Sequence, residues 1–396
     1  MSFHRSNDFA HVGAEVKATR ERVGVTEIAN FAKYEVTGPG AEAFLNRLMT
    51  NRMPKAGRIV LTPMLNEFGK LIGDFTIANA GGDRFIIWGS SAAQKYHMRW
   101  FERHLPKDGS VRIHRFDQTL VGLSIAGPKS QALLQKLVDA DVSSKVFRFM
   151  DFREMAVGGA PCMVNRITYT GDLGYEIWMQ PAYQRLVYKA IKEAGEEFGI
   201  VDFGMRALLS MRLEKNFPTW FRELRPIYGP FEGAMDRFIK LEKNDFVGRE
   251  AAAKEKSDGP KLRRVSFVVD ALDADVMGDE PIWAKVSTDH GTVEKPHGFG
   301  APRFDESGKE ARGSKAATGA SAVRGIVDGE WRVVGWITSG GYAHHVGKSM
   351  AQGYVPAALA EDESAGLFEI EILGHRRPAR INAEPLFDPA GEKMRS

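Results

Sequence analysis

Two stretches of this chain spell the same local structure, and together they constrain the fold more than any other feature. Lys33 to Val36 is strand-like, runs into T-G-P-G at Thr37 to Gly40, and continues as a short helix over Ala41 to Leu48. Leu120 to Ile125 repeats the strand, A-G-P-K-S the turn, and Ser130 to Val138 the helix. A Gly-Pro step punctuates regular structure, since proline has a fixed φ and no N–H, so each unit reads as strand, sharp turn, helix. A unit used twice predicts an internally duplicated α+β body. From Lys261 onward the pattern changes to short β segments with no long helix, which predicts a separate β domain.

The length of 396 residues, 43% of them hydrophobic, supports two or three cores of this kind. We expect residues 1–260 to form two interleaved α+β subdomains with a boundary near 118. Residues 261–396 are expected to form the β domain, with a Gly-, Ser-, Ala- and Lys-rich loop inserted at about 284–330. Further helices are predicted over Ala10 to Val23, Ser90 to His104, Tyr183 to Phe198 and Val201 to Lys215, the last capped by Asp202. Strands are predicted over Phe85 to Trp88, Phe147 to Val157, Ala160 to Tyr169 and Tyr175 to Met179.

Several function classes are disfavoured. Fifty-four Lys and Arg nearly balance 51 Asp and Glu, leaving a charge of +3 and no field that argues for nucleic acid. The single cysteine, Cys162, excludes an internal disulfide framework and reads as a buried, inert thiol in a reducing compartment. There is no secretory h-region and no run of 18 apolar residues, so we expect a cytoplasmic protein with no membrane span. The adjacent His344 and His345 would point to opposite faces, so no metal is assigned, and neither a G-x-G-x-x-G fingerprint nor a P-loop occurs.

Two carboxylates stand where a strand should be apolar. Leu61 to Leu65 and Leu71 to Ala78 read as a hairpin around the turn residues Asn66 to Gly69. Alternation puts Ile72, Asp74, Thr76 and Ala78 on one face and Leu71, Gly73, Phe75 and Ile77 on the other. A carboxylate in such a setting is hydrogen-bonded, shifted in pKa or facing a ligand pocket. In I-T-Y-T-G-D-L-G-Y-E-I-W at Ile167 to Trp178, Glu176 follows Tyr169 across a Gly turn. It is either an edge-strand side chain in water or an acceptor for paired N–H donors of a heterocycle, as on the edge of a pterin. Arg206 and Arg212 point in different directions on one helix, so that one can reach a ligand while the other is structural.

Taken in order, these motifs resemble the folate-binding aminomethyltransferases: the glycine cleavage T-protein and the C-terminal halves of dimethylglycine and sarcosine dehydrogenases. The resemblance rests on A-T-R-E-R-V-G-V at Ala18, F-A-K-Y-E-V-T-G-P-G-A at Phe31 and L-N-E-F-G-K-L-I-G-D-F at Leu65. It extends through Y-T-G-D-L-G-Y-E at Tyr169, F-G-M-R-A-L-L-S-M-R-L-E-K at Phe203 and K-N-D-F-V-G-R-E-A at Lys243. It ends with G-W-I-T-S-G-G-Y-A-H-H-V-G-K-S-M-A-Q-G-Y-V at Gly335.

The resemblance implies an α+β, three-domain cloverleaf around a central folate cavity, with a β-barrel-like C-terminal domain. It implies Asp74 as the catalytic carboxylate, Tyr169, Glu176, Arg206 and Leu65 as folate contacts, and tetrahydrofolate as cofactor. The implied activity is transfer of a methyl or methylene group from a small methylated donor, dimethylglycine- or sarcosine-like, to tetrahydrofolate, with a separate flavin-dependent dehydrogenase as partner. Direct O- or S-demethylation is an alternative, as is a non-catalytic folate-binding or tRNA-modification-related protein, which the near-neutral charge and lone Cys162 oppose. The chain departs from the pattern at Ala207, where the T-protein has an acidic residue, in the segment Leu213 to Pro226, and in the insertion.

Overall fold

The computed structural model describes residues 4–285, 327–328, 331–361 and 368–396; the predicted insertion lies almost wholly outside them. The first helix α1 (Phe9–Glu21) leads into β1 (Gly24–Glu27), β2 (Ala32–Thr37), α2 (Ala41–Leu48), β3 (Ile59–Leu65), β4 (Leu71–Gly81), β5 (Arg84–Gly89), α3 (Gln94–His104) and β6 (Arg112–Arg115). Next come β7 (Val121–Ala126), α4 (Ser130–Gln135), β8 (Phe152–Val157), β9 (Ala160–Asn165), β10 (Gly174–Met179), α5 (Pro181–Gly195), β11 (Val201–Asp202), α6 (Met205–Glu214) and α7 (Arg249–Asp258). The C-terminal part carries β12 (Leu262–Val269), β13 (Pro281–Lys285), β14 (Val327–Asp328), β15 (Trp331–Ala343), β16 (Lys348–Pro356), β17 (Phe368–Ile372) and β18 (His375–Ile381).

Three sheets result. One has the order β3-β4-β5-β2-β6, and a second the order β11-β1-β7-β10-β9-β8. In the third, β13-β17-β18-β12-β16-β15 closes on itself through a β13–β15 pairing, so six strands form a barrel with β14 hydrogen-bonded to β15. The repeated unit occurs once in each of the first two sheets, as β2–α2 and β7–α4. Its glycine has the same job both times. Gly38 and Gly127 have φ of +112° and +122°, and a Cβ on either would lie 2.3 Å from a backbone oxygen, of Ser110 and of Thr19 respectively.

The first two sheets lie face to face. Val36, Ile77, Phe85 and Ile87 turn outward onto α2 and α3, while Leu123, Ile125, Ile177 and Val164 turn outward onto α4 and α5. Between the sheets Ile59, Ala78, Ile86 and Trp88 meet Leu120, Phe152, Met163 and Trp178. The Trp88 and Trp178 rings touch at 5.7 Å between centroids. Trp178 lies over Gly122, its neighbour in the ladder, where a Cβ would come within 2.5 Å of the indole.

Several boundaries differ from expectation. Residues 147–150 precede β8 as a turn in which Met150 has φ of +67°, and β9 stops at Asn165, because the loop to β10 turns at Gly171. Asp202 does not cap α6: it lies on β11, where it accepts hydrogen bonds from Tyr188 and Lys192, and Gly204 holds the cap position. His344 and His345 do diverge, the first ring against Phe9 and the second against Phe387.

Candidate functional site

Asp74 is placed by a turn and a bulge. Asn66 Oδ1 accepts the N–H groups of Phe68 and Lys70 at 3.0 and 2.9 Å, and Gly69 closes the turn at φ of +72°. The β3–β4 pairing then slips, with Met64 opposite Gly73 but Leu65 opposite Leu71, so Ile72 is the extra residue of a β-bulge. The bulge breaks the expected alternation: Ile72 packs with Phe75 and Ile77 on the outer face, while Asp74, Thr76 and Ala78 face the space between the sheets. Burial pushes the Asp74 carboxyl up to about 6, partly opposed by a hydrogen bond within its own residue.

Glu176 comes from the opposite sheet. It shares the inner face of β10 with Trp178, and its ladder neighbours are Ser124 on β7 and Asn165 on β9. Burial pushes its carboxyl up to about 7, against a hydrogen bond from Asn165 Nδ2 at 3.3 Å. The Trp178 indole, close to the same carboxyl, also favours its ionised form, while Asn165 Oδ1 is buried without a partner. Among the described residues neither Asp74 nor Glu176 forms an ion pair, and the two carboxylates stand on facing sheets.

Tyr169, on the loop after β9, donates to the Pro218 carbonyl at 2.5 Å, contacts Thr219 Oγ1 at 2.9 Å and stacks on Phe217 at 5.9 Å. Its phenol is pushed up to about 12 by burial, with the nearby Arg212 opposing and the Asp74 carboxylate adding to the rise. Asp74 and Tyr169 therefore lie within electrostatic reach of each other. Asp74, Tyr169 and Glu176 are each deep enough for burial to shift their titration, yet each keeps part of its surface accessible. Depth thus shifts the titration of all three while leaving each some surface that a ligand can meet.

The segment that contacts Tyr169 is the unusual one after α6. Trp220 packs against the His97 ring at 5.7 Å. Glu223, fully buried, accepts hydrogen bonds from Thr338 and Ser339 of β15 at 2.7 and 2.5 Å and from the Thr219 N–H at 2.8 Å, and pairs with Arg212 at 3.3 Å. One segment thus joins the two-sheet body to the barrel.

Two expected contacts are not brought to this region. Leu65 is wholly buried in an apolar cluster with Leu71, Trp220 and Leu224 and presents no surface to a ligand. Arg206, at the exposed start of α6, keeps 69% of its side chain accessible and pairs with Asp8 at 2.6 Å; the buried Arg212 is the arginine near Tyr169. Asn165 and Trp178 went unpredicted. The signal was present: an Asn closing the apolar run A-P-C-M-V-N, and a Trp two residues beyond Glu176 on the same strand face. Burial raises the Cys162 thiol to about 11, well away from thiolate chemistry at neutral pH. Among the described residues no helix is long and apolar enough to cross a membrane.

Comparison with known proteins agrees with this architecture. Residues 1–243 match the family described as GCVT N-terminal domain, and residues 310–388 match the glycine cleavage T-protein C-terminal barrel domain. The chain is 32% identical over 387 residues to the mitochondrial dimethylglycine dehydrogenase of Rattus norvegicus, covering 97% of this chain and 40% of that protein. The chain therefore spans about two fifths of the length of such relatives. It is 30% identical over 266 residues to an aminomethyltransferase of Thermoanaerobacter sp., covering 65% of this chain and 70% of that one. The crystal structure of the glycine cleavage aminomethyltransferase T of Bartonella henselae has the same fold, with a TM-score of 0.75 at 19% identity over 96% of this chain and 90% of that one.

Proposed function

This chain belongs to the aminomethyltransferase family of enzymes, the family of the glycine cleavage T-protein, and on that premise we propose that it is a tetrahydrofolate-dependent one-carbon transferase. The observation that carries the reading is the pair of carboxylates, Asp74 at about 6 and Glu176 at about 7, on facing sheets. The lining fits a reduced pterin. Glu176 offers an acceptor for paired N–H donors, beside it Asn165 Oδ1 is an unpartnered acceptor, and Tyr169 stacked on Phe217 offers an aromatic wall.

Tetrahydrofolate, when bound, supplies the amine that receives the one-carbon unit. The rest of the chemistry falls to this chain. Glu176, once ionised, orients a donor-rich edge. Asp74, whose carboxyl titrates close to neutral pH, can take a proton from an attacking amine and return it. As an anion in a water-poor site, it also stabilises positive charge developing on nitrogen far better than it would in bulk water.

The donor in this reading is a small N-methyl amino acid, oxidised by a flavin-dependent dehydrogenase present as a subunit or a further domain. The 32% identity to a dimethylglycine dehydrogenase over nearly the whole chain supports that choice. In the same reading residues 1–260 form the folate-binding region and 261–396 a domain that braces it.

The test is equilibrium binding of tetrahydrofolate, followed by single-turnover transfer with N-, O- and S-methyl donors, with and without a flavin dehydrogenase. Asp74→Asn should still bind folate and lose transfer about 100-fold or more. Wild-type transfer rates in that variant would remove Asp74 from the mechanism. No folate binding by the wild type would end the whole reading, and turnover without a flavoprotein would replace the donor assignment with direct demethylation.

A further inference from the structure

The two facing sheets are stitched together along one edge, and a cavity opens there. Ile59 N–H donates to the Met150 carbonyl at 2.8 Å and Phe152 N–H to the Gly57 carbonyl at 2.9 Å, joining the start of β3 to the start of β8. Beside this seam is a cavity of about 950 Å³, within the size range of small-molecule sites. Five cations line it, Lys55, Arg58, Arg148, Arg153 and Arg395, against one carboxylate, Asp151. The whole chain carries a net charge of only +3, so this is a marked local concentration.

The single carboxylate is already committed. Asp151 pairs with Arg58 and accepts the Arg148 backbone N–H at 2.6 Å, while the exposed Arg148 side chain makes only a long ion pair with it at 4.0 Å. Arg153 is held by the carbonyls of Asp141 and Val146, and Arg395 by those of Ala390 and Gly391. These carbonyls fix the guanidinium groups in position without cancelling their charge, only the exposed Asp141 carboxylate lying near that of Arg153. Among the described residues Lys55 has no ion-pair partner. Such crowding of like charge is destabilising unless an anion relieves it. The walls are not wholly polar, since Val146 is 45% exposed and Phe149 half-buried at the same cavity. Met150, between wall and seam, sits at φ of +67°, a conformation that an L side chain adopts only under constraint and that tends to gather at binding sites.

We propose that this seam pocket binds a small organic polyanion, a molecule bearing two or more phosphate or carboxylate groups on an apolar body. The pocket is lined by none of the candidate-site residues Asp74, Tyr169 and Glu176 and does not depend on the folate reading. Lys55 and Arg148, the cations least engaged within the protein, meet the charged groups, Arg58 and Arg153 fix their position, and Val146 and Phe149 take the apolar body.

Isothermal titration of the full chain with ADP and, separately, with citrate tests this. At least one should bind with a Kd below about 1 mM, weakening steeply with salt. ADP without citrate assigns the charged groups as phosphates; citrate without ADP assigns them as carboxylates. The double variant Lys55→Glu, Arg148→Glu alters two exposed side chains and spares the Arg58–Asp151 pair, so it should fold normally and bind at least tenfold more weakly. The control Lys254→Glu, Lys256→Glu on α7 should bind as the wild type does. Failure of both anions to bind, or equal binding by the double variant and wild type, would overturn the proposal.

Discussion

Asn165 donates its side-chain amide to Oε2 of Glu176 at 3.3 Å, across the ladder between β9 and β10. That bond favours the ionised carboxylate and works against the burial that raises it to about 7. A ligand edge rich in N–H groups needs the ionised form, so folate affinity should strengthen as pH rises through about 7. In Asn165→Leu the titration should move to higher pH, with affinity at pH 7 falling about 3- to 10-fold and recovering in part in more alkaline buffer, the remaining loss being the Oδ1 contact. Titrations from pH 6 to 9 check this; a uniform loss at every pH would mean that Asn165 does not tune the Glu176 carboxyl.

Asp74 should make the protein more stable in mild acid than its other carboxylates would suggest. Its folded value, about 6, lies above the usual 3.8 of an exposed Asp, so the folded state holds a proton that the unfolded chain has released. The stabilising contribution is complete below about pH 4 and is lost as pH climbs through about 6, by about 2 to 3 kcal/mol in all. Asp74→Asn removes that penalty. Its gain in urea midpoint over wild type should be larger at pH 7.5 than at pH 4.5; equal gains would contradict the burial argument.

Gly122→Ala should disturb the floor between the sheets. The new methyl would lie 2.5 Å from the Trp178 ring, which cannot retreat because Trp88 covers it from the other sheet. We expect a loss of about 1 to 3 kcal/mol in denaturant unfolding and a shift in tryptophan fluorescence.

Glu223→Ala should be among the most damaging single changes. It leaves Arg212 buried without its carboxylate and strips Ser339 of its acceptor, Thr338 keeping the Gln352 carbonyl, for a loss of about 3 to 5 kcal/mol. Calorimetry would show it as a lowered Tm with the barrel strands no longer docked.

The two arginines of α6 should separate cleanly. Arg206→Ala should leave folate binding within about twofold of wild type, because the side chain faces water and Asp8. Arg212→Ala should abolish soluble expression or binding. A large binding defect in Arg206→Ala would restore that residue to the site.

Local patterns carried the parts of the fold that local physics decides. The two strand, Gly-Pro, helix units were legible because a positive-φ glycine beside a backbone oxygen permits little else. The inward face of Asp74 was legible from alternation, but the bulge at Ile72 was not, since a bulge depends on how the partner strand is paired. Arg206 looked attractive because spacing along a helix says which residues share a face and nothing about what that face meets. Arg212 emerged only once Tyr169, Glu223 and β15 were assembled around it.

The position of Glu223 also sets an order of events in folding. Its donors Thr338 and Ser339 lie 115 and 116 residues further along the chain. During synthesis the two sheets can form while this carboxylate still waits in water, with its local partners only. Contacts of such long sequence separation come late, so the segment beside Tyr169 should be the last part of the site to set. Ligand binding by a nascent chain would then report that the barrel has closed, which makes occupancy a readout of completed assembly.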